Sequence, residues 1–147
     1  MLVNGPGHLR YDRPIRARID HLESGVTHSA GFAALEASTA LLELLGVTSI
    51  WEHINNWNAA LHEGLRSRNI VTCRQASSAT HSGILSVSQD ALHDRFGGRT
   101  VAEIAAALGS HSIAVSTPDG HLRFAPHWPN ALDEVSTVLR TLDTLLL

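Results

Sequence analysis

The stretch from Ala30 to Leu45 constrains the fold more than any other part of this chain. It is small-residue-rich and apolar, and its only charges, Glu36 and Glu43, stand seven positions apart. That spacing puts both carboxylates nearly on one line of a helix. A helix with a single charged stripe expects cover on most of its sides, so the segment predicts a partner surface as well as a helix. Gly46 closes it, as glycine does where a chain turns left-handed just past the last helical residue.

Further elements follow from local signals. Ser49-Ile50-Trp51-Glu52 has the hydroxyl and carboxylate three apart that form a capping box. From there Ile50, Ile54, Trp57, Leu61 and Leu65 recur every three or four residues, which predicts a helix to roughly Arg68. Ile70 to Cys73 and Gly83 to Ser88 are short, rich in β-branched residues and flanked by Ser, Gln and Gly, so both read as strands, with Cys73 buried in the first. Thr100-Val101-Ala102-Glu103 repeats the capping box ahead of Ile104 and Leu108, with Gly109 as the stop. Ile113 to Ser116 and His121 to Ala125 read as a hairpin turned at Pro118-Asp119-Gly120. Asn130 is the expected cap of a last helix that presents Leu132, Val135, Val138, Leu139, Leu142 and Leu146 to the core. The fold class is α+β, a small antiparallel sheet packed against helices.

The 147 residues fit one domain behind an irregular lead-in marked by Gly5-Pro6-Gly7 and Pro14. A net charge of −3 offers no attraction to nucleic acid or to an anionic membrane surface, so neither is expected as a partner. Cys73 is the sole cysteine, which removes an intrachain disulfide and a thiolate zinc site. The ten histidines include no His-x-x-x-His pair, so no metal is expected, and no Gly-x-Ser-x-Gly marks a hydrolase. The N-terminus lacks the order of a signal peptide, and a cytoplasmic protein is the expectation.

All eleven basic residues are arginine; the chain has no lysine. That absence matters beside the segment Ser116-Thr117-Pro118-Asp119-Gly120-His121-Leu122-Arg123-Phe124-Ala125-Pro126-His127-Trp128-Pro129-Asn130. This segment resembles the closing part of class V aminotransferase-like enzymes, a branch of the fold-type I pyridoxal-phosphate (PLP) proteins. Leu22 to Val47 is similar to that family's acidic-glycine turn and following helix, where the chain crosses from the large domain to the small one. The resemblance implies a lead-in over residues 1–21 and a class V C-terminal small domain over 22–147. The glycine-rich turn, the pyridine-facing aspartate and the Ser-x-His-Lys segment of the family have no counterpart here. PLP is held as a Schiff base on a lysine amine, so the resemblance implies a substrate-side domain that does not bind the cofactor covalently.

By the same resemblance, Arg123 grips the carboxylate of an amino-acid substrate, a task suited to the planar donor pair of a guanidinium. His121 and His127 are candidates for supporting that site. Thr27 and His28 lie near the family's threonine turn, which reaches the cofactor phosphate of a neighbouring subunit; aligned on Gly25, Val26 takes the threonine position and the hydroxyl moves to Thr27. Cysteine desulfurases of the family carry a catalytic cysteine on the loop before this arginine, where the present chain has Thr117-Pro118-Asp119-Gly120. Persulfide chemistry is not expected, and the pattern is closer to the epimerase-like, kynureninase-like and ergothioneine-lyase-like members. The implied partner is a separate large domain, or a second copy through the 30–45 helix. The alternative is a stand-alone interaction or dimerisation domain that keeps the fold without catalysis.

Overall fold

The computed structural model describes residues 28–146, in two compact units of which the first ends at Leu44 and the second begins at Leu45. In the first unit, helix α1 (Ser29–Leu45) starts where the His28 side chain takes the place of a capping hydroxyl. His28 Nδ1 accepts from the Gly31 N–H at 3.0 Å, and its carbonyl accepts from Phe32 at 3.1 Å. Gly46 follows at φ 79°, the left-handed turn expected of it. No residue of α1 is buried; Phe32 is 61% exposed, Leu35 60% and Leu44 83%.

The second unit opens with α2 (Val47–Arg66), which starts two residues ahead of the expected position. Gly46 occupies the cap site without a side-chain bond, and Ser49 lies inside the first turn, so the expected capping box at Ser49 is not made. The helix ends at Arg66, where Asn69 at φ 58° turns the chain and the Ile70 N–H returns to Leu65 O at 3.0 Å. Its inner face is the one the periodicity marks: Ile54, Trp57, Leu61 and Leu65 are buried, together with Asn58.

Ile70 to Cys73 does not form the expected strand. One backbone bond, Cys73 N–H to Ser86 O at 2.8 Å, ties it to the sheet edge, and Cys73 is exposed. Only Ile70 enters the core, while Thr72 and Arg74 turn to His62 and His81. Strand β1 (Leu85–Ser88) leads directly into a five-residue helix α3 (Gln89–His93), capped by Ser88 and not foreseen from the pattern. Helix α4 (Val101–Ser110) carries the expected Thr100–Glu103 capping box, each side chain bonding the other's backbone N–H. It runs past Gly109; Ser112 at φ 62° makes the turn instead, and the Ile113 N–H reaches Leu108 O at 3.0 Å.

Strand β2 (His121–Phe124) pairs antiparallel with β1 in the register Leu85 to Phe124, Ser86 to Arg123, Val87 to Leu122 and Ser88 to His121. The expected hairpin arm, Ile113 to Ser116, contributes a single bridge at Ser116 and Arg123. Asn130 does not cap the last helix. Helix α5 (Glu134–Asp143) begins four residues later, with Asp133 at the cap position and no side-chain cap bond.

Leu85, Val87, Leu122 and Phe124 make one buried face of the sheet. They join Trp57, Leu61 and Leu65 of α2, Ile104 and Leu108 of α4, and Val135, Val138 and Leu142 of α5 in one core. Leu132, expected inside, is 52% exposed because it precedes the helix. α5 packs on both α2 and α4, so the two-stranded sheet is backed by a three-helix layer. That cover is needed, since two strands alone do not hold in water.

Candidate functional site

Arg123 sits at the third position of β2, between two backbone neighbours. Ser86 lies opposite it on β1, and on the other edge Arg123 N–H donates to Ser116 O at 2.8 Å while Ser116 N–H donates to Arg123 O at 3.3 Å. Alternation sends Leu122 and Phe124 into the core and leaves Arg123 half-buried on the opposite face with Ser86, Ser88 and His121. Its Nε is buried without a hydrogen-bond partner, and its guanidinium makes no ion pair among the described residues. A charged donor withheld from water with no acceptor carries a cost of about 1–3 kcal/mol, which an incoming oxyanion would remove. The strand thus presents an unclaimed cation on the open face of the sheet.

The turn before Arg123 is built on two left-handed residues, Asp119 at φ 49° and Gly120 at φ 71°. His121 Nδ1 donates to Asp119 O at 2.8 Å, which leaves its Nε2 as the acceptor nitrogen of the neutral ring. His121 and Arg123 share a strand face two positions apart, so the structure brings these two candidates together.

His127 is exposed beyond the end of β2, and its backbone does the holding. The His127 N–H donates to Asn130 Oδ1 at 2.9 Å, and the Asn130 N–H returns to His127 O at 3.0 Å. α2 grips this closed loop through His53 Nε2 on Asn130 O (2.7 Å) and Trp57 Nε1 on Ala131 O (3.2 Å). The sequence signal for Asn130 was real, but it marks a loop closure; Asn130 Nδ2 also reaches Glu134 Oε2 at 3.0 Å. Neither Ser86 nor the His53 and Trp57 grip is visible from local pattern, because each pairs residues far apart in the chain. His28 belongs to the first unit, with its Nδ1 committed to the Gly31 N–H. Thr27 lies outside the described residues.

A cleft of about 460 Å³ is lined by Trp57, His111, Phe124, Asn130 and Glu134, and Arg123 is not part of its lining. Among the described residues no three His, Cys, Asp or Glu side chains group closely enough to hold a metal ion, and no single helix is long and apolar enough to cross a membrane.

Residues 12–136 match the family model Aminotransferase class-V. The chain belongs to that family. The match spans both segments singled out above, the one around α1 and the one containing Arg123, and the α+β architecture agrees with it. The fold is similar to that of a cysteine desulfurase from Thermococcus onnurineus NA1, solved in the apo form, with a TM-score of 0.79 at 20% identity. The superposition covers 99% of this chain and 37% of that one, so the chain spans well under half the length of that relative. No curated protein matches it.

The family implies PLP, and the residues here do not fit its covalent retention. There is no lysine in the sequence, and of the two residues that the resemblance assigns to the cofactor phosphate, His28 uses its Nδ1 as a helix cap. The Arg123 guanidinium, without an ion pair among the described residues, can bind and orient an anion.

Proposed function

We propose that this chain is the substrate-side small domain of a PLP-dependent class V enzyme acting on an amino acid, with the cofactor lysine supplied by a separate large domain. The observation that carries this reading is the Arg123 guanidinium, fixed on β2, half-buried and without a partner among the described residues. A structural arginine in such a place would be paired, as Arg68 is with Asp143. Arg123 holds the substrate α-carboxylate through two parallel N–H bonds, and the Ser116 and Ser86 backbones keep the strand that carries it in register. The large domain covers α1, whose apolar side chains otherwise face solvent on a scale that monomers seldom tolerate. The relative's greater length is consistent with such a domain.

The exposed α1 also supports the second reading, a domain that associates with its own copy through this helix and performs no catalysis. The coding sequence upstream of Met1 and the adjoining genes separate the two. A frame encoding a class V domain with Ser-x-His-Lys is the expected finding. Its absence, together with self-association lost on Leu35→Glu, would replace the first reading with the second.

A further inference from the structure

A second cleft, of about 630 Å³, lies beside the C-terminal half of α2, and the chemistry above does not use it. His62, Glu63 and Arg66 line it from the helix, Thr72, Arg74 and Gln75 from the extended segment that follows, and His81 from beyond the Ser78–Thr80 turn. We propose that this cleft binds the phosphoryl group of a small organic phosphate monoester, with Arg74 and Arg66 as its two cationic contacts.

The hydrogen bonds already present leave those cations available. A guanidinium has no acceptor, so Arg74 Nη2 donates to His81 Nδ1 at 2.9 Å, and His81 Nε2 in turn donates to Gln75 O at 2.9 Å. This chain fixes the Arg74 head by one N–H and leaves its other donors uncommitted among the described residues. On the far side, His62 Nδ1 and Thr72 Oγ1 are bonded at 2.7 Å, which holds the segment bearing Arg74 against α2. Glu63 is the sole carboxylate in the lining, and its contacts with Arg66 Nε at 3.6 Å and His62 Nε2 at 3.8 Å are long for charge-assisted bonds. Two guanidiniums against one carboxylate leave the lining positive, and a phosphate dianion offsets that charge where a neutral ligand does not.

A helix C-terminus normally repels an anion through its unpaired carbonyls. Here those carbonyls are occupied. Glu63 O accepts from Ser67, Gly64 O from Arg68 Nη1, Leu65 O from Arg68 and Ile70, and Arg66 O from Asn69. Ala59, Ile70, Val71 and Ala76 supply the apolar part of the lining, and the volume exceeds what a bare phosphate fills, so the ligand has an organic body.

The test is a titration of the isotopically labelled full chain with phenyl phosphate and with inorganic phosphate, followed through backbone amide resonances. Saturable shifts of Thr72, Arg74 and Gln75 are expected, with phenyl phosphate the tighter ligand. Arg74→Gln keeps an amide donor for His81, Arg66→Gln changes an exposed side chain, and each should weaken binding roughly tenfold through loss of a charge-assisted contact. Arg95→Gln, on a residue outside the cleft, should leave it unchanged. Absence of saturable shifts, shifts located elsewhere, or equal weakening by Arg95→Gln overturns the proposal. Inorganic phosphate binding as tightly as phenyl phosphate overturns the assignment of an organic ligand.

Discussion

Arg68, just past α2, and Asp143, the last residue of α5, form a two-pronged pair: Nε donates to Oδ1 at 2.5 Å and Nη2 to Oδ2 at 2.6 Å. The same guanidinium reaches back to Gly64 O at 2.8 Å, so one side chain ties the ends of two core helices. The hydrogen bonds from Arg68, aided by its charge, hold the Asp143 carboxyl below its ordinary range against a smaller opposing effect of burial. A carboxylate whose folded pKa is depressed adds stability above the unfolded value, about pH 4, and loses it as pH falls through the folded value. Asp143→Asn should therefore cost about 0.5–1 kcal/mol near neutrality, the range of a partly exposed pair. Denaturant melts should show the difference from wild type shrinking in acid, and an unchanged difference at low pH would contradict the assignment.

Asn58 is fully buried on the core face of α2, and neither its Oδ1 nor its Nδ2 has a hydrogen-bond partner among the described residues. An unsatisfied buried amide costs about 1–3 kcal/mol, and replacing it with an apolar group of similar size removes that cost. Asn58→Leu should raise the melting temperature. A fall would show that the amide makes contacts with water or with another chain that the isolated fold does not reveal.

The Thr100–Glu103 box secures the N-terminus of α4 through both of its side chains. Thr100→Ala should destabilise the chain by about 1 kcal/mol and Thr100→Ser by much less, since the hydroxyl is the working part. Equal losses from both substitutions would assign the effect to the threonine methyl group.

Two sequence patterns of the same form had different outcomes, and the reason is geometric. At Thr100 the preceding chain is extended and the helix begins where the box sits, so the box forms. At Ser49 the positive φ of Gly46 sets the chain into helix from Val47, and the serine falls three residues past the cap site. The helices, the Asp119-Gly120 turn and the position of Arg123 on a strand were legible because they depend on neighbours in sequence. The pairing of β2 with β1 across the intervening α3 and α4 and the exposure of Cys73 were not, since each is settled by residues distant in the chain. The short helix α3 escaped because five residues carry too little periodicity to read.

On α1, Leu35 is 60% exposed and Leu42 37% exposed, so glutamate at both positions should leave the fold intact and improve solubility. Sedimentation of the wild type should show concentration-dependent association that the double variant abolishes. An unfolded double variant would place these side chains in a core, and a wild-type monomer at every concentration would remove self-association as a role for this helix.

Arg123 is proposed as the receptor for a substrate carboxylate. The most direct measurement of that role is a titration of the labelled chain with alanine, propionate and ethylamine, observed at the Arg123 Nε–H resonance and the Ser86 and Ser116 amides. Alanine and propionate should shift these signals saturably and ethylamine should not, because the planar donor pair reads the carboxylate. Arg123→Lys should keep the fold while weakening alanine and propionate binding, as a charge without the fork would. Indifference of all three signals to alanine and propionate, or an equal response to ethylamine, would contradict the account.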